Sequence, residues 1–161
     1  MQKKAIDSRK PPIHEYALNL LTARSYTRRG LEKKFASRGF SAKEIAIEIE
    51  SLESSSLIDD RKFAREFARQ KLTNGGKSAR RVQLELTHKG IAPASAREAI
   101  EQVMSEEAID VTKALRAAGS KKLATMQGLD YKTQRTRVLA FLARRGFELD
   151  DIRAFINESL K

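Results

Sequence analysis

The side chains able to do chemistry in this chain are few and scattered. Gly75, Gly76, Lys77 and Ser78 are the residue types that close a phosphate-binding loop, where backbone N–H groups and a lysine cradle phosphates. The four-residue spacing between the glycines is missing, and no buried strand precedes the segment. A helix–helix turn with Ser78 as N-cap fits it better. Asp59 and Asp60 are adjacent carboxylates suited to a cation, but with Leu57 and Ile58 before them and Phe63 after, they read as the cap and staple of a helix. His14 and His88 lie far apart, neither at a ligand spacing. There is no Cys, which excludes disulfides, thiolate metal sites and a Cys nucleophile, and fits a reducing compartment. No nucleophile, base and oxyanion donor assemble, so the expectation is a protein without catalysis, metal or cofactor.

What remains is cationic chemistry. Lys and Arg total 32 against 21 Asp and Glu, a net charge of +11 and a pI near 10.1, which points to a polyanionic partner. The excess is not uniform. Residues 22–40 and 69–91 each carry six basic side chains and one acidic, and 132–147 carries five basic and none acidic, so each segment is net +5. The segments that follow reverse sign: 41–66 is net −3, 92–111 net −4 and 148–161 net −2. The candidate binding residues are Arg28, Arg29, Lys33 and Lys34; Lys77, Arg80, Arg81 and Lys89; and Arg135, Arg137, Arg144 and Arg145, not all of which can face outward together. Tyr26 and Tyr131 stand just before two of these segments and are candidates for stacking on bases, with packing or turn roles as the alternative. The competing reading of the charge is an ordinary solvated face.

The elements that position these residues announce themselves through their ends. Arg38-Gly39-Phe40, Lys89-Gly90-Ile91 and Arg145-Gly146-Phe147 each read basic, Gly, large apolar. This is a helix stop: a cation at the negative end of the dipole, a glycine free to turn left-handed, and an apolar residue folding back on the last turn. Four residues before the glycines stand Phe35, Leu86 and Leu142, and eight before stand Leu31, Val82 and Val138; six after stand Ile45, Ala96 and Ile152, and ten after Ile49, Ile100 and Ile156. Both sets have helical spacing, so a basic helix and a second helix flank each stop. Ser41 with Glu44 forms a capping-box pattern, and Pro93 suits a first helical position. A further amphipathic stretch precedes each basic helix, at Ile13, Ala17, Leu20 and Leu21, at Phe63, Ala64, Phe67 and Leu72, and at Ala108, Val111 and Leu115.

The expected fold is therefore all-α: three tandem three-helix repeats forming an elongated, curved array, with a basic stripe along the middle helices. The expected divisions are a basic tail at 1–12 and repeats at 13–57, 58–104 and 105–161. The glycines are 51 and then 56 residues apart, which places about five extra residues in the third repeat, near 117–131, where Gly119 and Gly128 read as breakers. Apolar residues at 40%, with three Pro and eight Gly, support a helical core. No apolar run follows the basic residues of 1–12, and no window approaches the roughly 18 apolar residues of a membrane span, so a soluble, cytoplasmic monomer is expected.

Leu57-Ile58-Asp59-Asp60, then Phe63-Ala64, Gly76, Leu84, Leu86 and Lys89-Gly90-Ile91, resembles the central signature of the RecX family. Tyr16-Ala17, Leu20-Leu21, Arg24, Ser25 and the Arg38-Gly39-Phe40 stop are similar to that family's first repeat. The resemblance spans about residues 13–160. It implies three tandem three-helix repeats without enzymatic activity, and a bacterial regulator of recombination, DNA repair and the SOS response. Such a regulator binds the RecA nucleoprotein filament, with single- or double-stranded DNA as a further partner, and limits RecA activity. The chain departs from the family pattern in the long segment at 117–131 and in being more basic than some relatives. Two other readings stay open. Each three-helix unit has the size of a sequence-specific helix-turn-helix domain, although the basic helices offer Gln83 and Gln134 but no Asn to read bases. A helical scaffold without nucleic-acid contact is the third.

Overall fold

The computed structural model describes residues 11–74 and 76–160; the expected basic tail up to Lys10 lies outside them, as do Gly75 and Lys161. Among the described residues there is no strand. The helices are α1 (Ile13–Ala23), α2 (Arg28–Ser37), α3 (Ala42–Ser54), α4 (Asp60–Arg69), α5 (Ala79–His88), α6 (Pro93–Glu106), α7 (Val111–Ala124), α8 (Tyr131–Arg144) and α9 (Leu149–Ser159), with a π-helical turn at Gln70–Asn74. They divide into two compact units, one ending at Phe63 and one beginning at Ala64.

The stops behave as their chemistry requires. Gly39, Gly90 and Gly146 take φ of +83°, +98° and +87°. The amides of Phe40, Ile91 and Phe147 donate to the carbonyls of Phe35, Leu86 and Leu142 at 3.2, 3.1 and 3.3 Å, closing the same six-residue loop each time. Phe40, Ile91 and Phe147 are buried. Helix starts also follow the sequence. Ser41 and Glu44 form a reciprocal capping box, Pro93 opens α6, and Asp59 accepts from the amides of Arg61 and Lys62 at 2.8 and 3.0 Å. The neighbouring Asp60 bonds outside its own helix, where its Oδ1 accepts the Arg28 amide at 2.9 Å and ties the start of α4 to the start of α2. Burial raises the Asp60 carboxyl above its ordinary value, against the Arg28 hydrogen bond, which lowers it.

In the first unit Ala17, Leu31, Phe35, Phe40, Ile49, Leu52 and Ile58 form one core. Tyr16, Phe35 and Phe40 meet there with ring centroids 6.2 to 6.3 Å apart, two pairs tilted and one edge-on. In the second unit Leu115, Ala118, Met126, Val138, Leu142, Phe147, Ile152, Phe155 and Ile156 form another. Within each successive trio the same pair packs: α2 on α3, α5 on α6, α8 on α9.

Two features depart from the sequence reading. The third repeat's extra length is not a loop over 117–131, because α7 runs through that stretch to Ala124 and leaves only residues 125–130 between helices. Gly119 is therefore no breaker. It is a buried helical position at which any side chain would collide with the ring of Phe155, so glycine is there to let α9 approach. Gly128, at φ +89°, does turn the chain. The second departure is the π turn after α4, which the periodicity of Ala64, Ala68 and Leu72 conceals because all three remain buried.

Candidate functional site

The basic side chains sort by what they already touch. In the first unit Arg28 bonds Glu32 and Glu53, each at 3.1 Å, and the Glu32 hydrogen bond together with the Glu53 charge raises its pKa. Arg29, Lys33 and Lys34 are exposed and have no ion pair among the described residues. Arg29 and Lys33 stand four apart, opposite the buried Leu31 and Phe35, so they share the outward face of α2. Tyr26 is half-buried against the core, with the Arg24 guanidinium 4.6 Å from its ring centroid, which favours its packing role.

In the second unit the loop before α5 meets the stop of α8. Ser78 caps α5, its Oγ accepting the Arg81 amide at 3.2 Å. The same hydroxyl donates to the Gly146 carbonyl at 2.8 Å, and the Ser78 amide donates to the Arg145 carbonyl at 3.0 Å. Arg145 returns the contact through Nη1 to the Gly76 carbonyl at 3.0 Å, with its guanidinium 4.4 Å from the centre of the Phe141 ring. Carbonyls left over at the end of α8 thus find donors in the neighbouring loop. Arg145 and Lys77 serve this architecture: Lys77 Nζ holds Glu85 at 2.6 Å, and Arg81 reaches the same carboxylate at 3.0 Å. Burial pulls the Glu85 carboxyl up, but the bonds and charges of Lys77 and Arg81 outweigh it and hold the group below its ordinary value.

The junction leaves an open groove of about 660 Å³ lined by Arg80, Arg81, Leu84, Ala143, Arg144, Gly146, Phe147, Glu148 and Leu149. It brings three of the basic candidates, Arg80, Arg81 and Arg144, together with Leu84 and Leu149. Arg80 is 77% exposed and only loosely paired to Glu148 at 3.7 Å. Arg144 is exposed and has no ion pair among the described residues. Arg135 and Arg137 are likewise exposed on α8 but lie outside the groove, and Tyr131 is 52% exposed at the first turn of that helix. Lys89 Nζ lies 5.3 Å from the centre of the Phe67 ring.

Charge counting overlooked Leu84 and Leu149, each 49% exposed, and Glu148, which lies 3.7 Å from Arg80. A signal existed for Leu84: it stands two residues from both Val82 and Leu86, so it cannot share their buried face. His14 Nδ1 lies 2.9 Å from Glu48 Oε1, and no group of three or more His, Cys, Asp or Glu among the described residues is arranged to hold a metal. No helix among them is long and apolar enough to cross a membrane.

Comparison with known proteins places this architecture. The profile of the second three-helix domain of RecX matches residues 59–100, and that of the third matches 110–156. The regulatory protein RecX of Corynebacterium efficiens is 32% identical over 143 residues, covering 88% of this chain and 68% of that protein. The RecX of Chromohalobacter salexigens is 33% identical over 137 residues, covering 85% and 86%. The crystal structure of RecX from Lactobacillus salivarius superposes with a TM-score of 0.68 at 23% identity, over 91% of this chain and 93% of that one, and so speaks for the fold. With both domain profiles matching over more than half its length, and curated relatives aligning along most of it, the chain belongs to the RecX family of regulatory proteins.

Proposed function

We propose that this chain regulates recombination and DNA repair in the cytoplasm by binding the RecA nucleoprotein filament and restraining RecA activity, without catalysing a reaction and as a monomer. The observation that carries the reading is the α5–α8 groove, which Arg80, Arg81 and Arg144 line together with the exposed Leu84 and Leu149 on a scaffold that the RecX domain profiles cover. Arg29, Lys33, Lys34, Arg135 and Arg137, exposed and without ion pairs among the described residues, add phosphate-binding capacity for DNA. Arg28, Lys77 and Arg145 belong to the fold's own bonding, so in this reading they position the surface instead of contacting the partner.

The test is fluorescence anisotropy on a labelled single strand, bare and coated with ATP-loaded RecA, and on labelled duplexes of varied sequence. Tight binding to the filament, with slower ATP hydrolysis by RecA, is expected. Arg80→Glu with Arg144→Glu should weaken it at least tenfold while the circular dichroism spectrum stays unchanged. Binding confined to a particular duplex sequence would favour the helix-turn-helix reading, and no binding to either strand form would favour a scaffold.

A further inference from the structure

We propose that the groove between α5 and the turn joining α8 to α9 is a docking site for protein, specifically for an acidic segment carrying bulky apolar side chains. This rests on the filament reading and deepens it: the groove takes the recombinase, while the phosphates of the DNA are met elsewhere.

The chemistry of the lining separates the two classes of partner. A binding surface for a sugar–phosphate backbone needs cations and polar donors and gains nothing from aliphatic side chains, whereas bases need an exposed aromatic platform. The groove sets three arginines beside exposed aliphatic side chains and offers no exposed aromatic ring. Leu84 and Leu149 are each half exposed, while Phe147, its one aromatic, is only 6% exposed and committed to the core of the second unit. Exposed leucines beside arginines in one groove match the composition of a protein–protein contact. Guanidinium groups match carboxylates, as they match phosphates, with two parallel hydrogen bonds, so once the leucines select a protein the charge selects an acidic segment of it.

The resident acid marks the same preference. Glu148 lies 3.7 Å from Arg80, with both side chains more than 70% exposed, a weak pairing that an incoming carboxylate displaces at little cost. Arg144, without an ion pair among the described residues, supplies a second anchor on the α8 side. Arg81, which also lines the groove, is held through Nε by Glu85 at 3.0 Å, so its guanidinium is fixed in place with donors left over.

The experiment compares wild type with Leu84→Ser/Leu149→Ser and with Glu148→Gln, on RecA filaments and on the same bare single strand. Both leucines are already half exposed, so thermal unfolding of the double variant is expected to match wild type. Its filament affinity should fall at least tenfold, with affinity for the bare strand unchanged. Glu148→Gln should tighten filament binding severalfold by removing the competing carboxylate. Unchanged filament binding by the leucine variant, or an equal loss on bare DNA, would overturn the assignment while leaving filament regulation intact. Failure of the wild type itself to bind the filament would instead overturn the underlying functional reading, and this inference with it.

Discussion

Gly39→Ala and Gly146→Ala make the same chemical change at the same point of two helix stops, and the structure gives them different consequences. Both glycines sit at nearly equal positive φ, +83° and +87°. An alanine in that region costs about 1–2 kcal/mol, of which about 0.4–1 kcal/mol is offset because the unfolded chain loses freedom. At Gly39 nothing lies within 4 Å of the added methyl, so the net loss should be about 1 kcal/mol from the values just given. At Gly146 the methyl would stand 2.5 Å from Ser78 Oγ and 2.8 Å from Arg81 Cβ. Ser78 must move, and with it go an N-cap, at about 1 kcal/mol, and the hydrogen bond to the Gly146 carbonyl, at about 1 kcal/mol. Gly146→Ala should therefore lose about 3 kcal/mol in all, by the sum of these contributions.

The extra 2 kcal/mol or so translates into a melting temperature about 4–8 °C lower than that of Gly39→Ala for a chain of this size. Thermal unfolding followed by circular dichroism reads it directly. Gly146→Ala should also bind the filament more weakly than Gly39→Ala, because the displaced helix α5 carries Arg80, Arg81 and Leu84. Equal destabilisation by the two variants would refute the reasoning. It would mean that the contact between the Ser78 loop and the end of α8 contributes nothing to the fold.

Gly119→Ala gains about 1 kcal/mol of helix propensity, yet forces the buried Phe155 ring to move, so a net loss of about 1–2 kcal/mol is expected from overpacking. Adding Phe155→Leu should recover part of it, and a melting temperature raised by Gly119→Ala alone would contradict the close approach of α9. Ala108 sits at φ 45° just beyond α6, so Ala108→Gly should stabilise by about 0.5–1 kcal/mol in urea titration, the relieved strain exceeding the gain in unfolded-state freedom. The folded pKa of Glu85 lies below its unfolded value, so its contribution is present above the unfolded pKa and disappears as pH falls through the folded one. Glu85→Gln should accordingly be less stable than wild type at neutral pH, with the gap closing in acid; a constant gap from pH 7 to pH 3 would show that the Lys77 and Arg81 charges are not the cause.

The local rules of this protein are written in its sequence. Each basic-Gly-apolar stop, the Ser41–Glu44 box and the Asp59 cap involve residues at most five apart, so their geometry follows from backbone stereochemistry and nearest hydrogen bonds, and the helical register of Leu31, Phe35, Val82, Leu86, Val138 and Leu142 follows from their spacing. Charge counting likewise found the arginines, but not their roles. Arg80 and Arg144 line one groove while Arg145, next in the chain, is bonded to Gly76, a residue 69 positions away. Gly119 read as a breaker because its partner, Phe155, lies far along the chain on another helix. Such assignments depend on which distant segments touch, and tertiary packing alone brings those segments within a few ångströms, where contact and charge act.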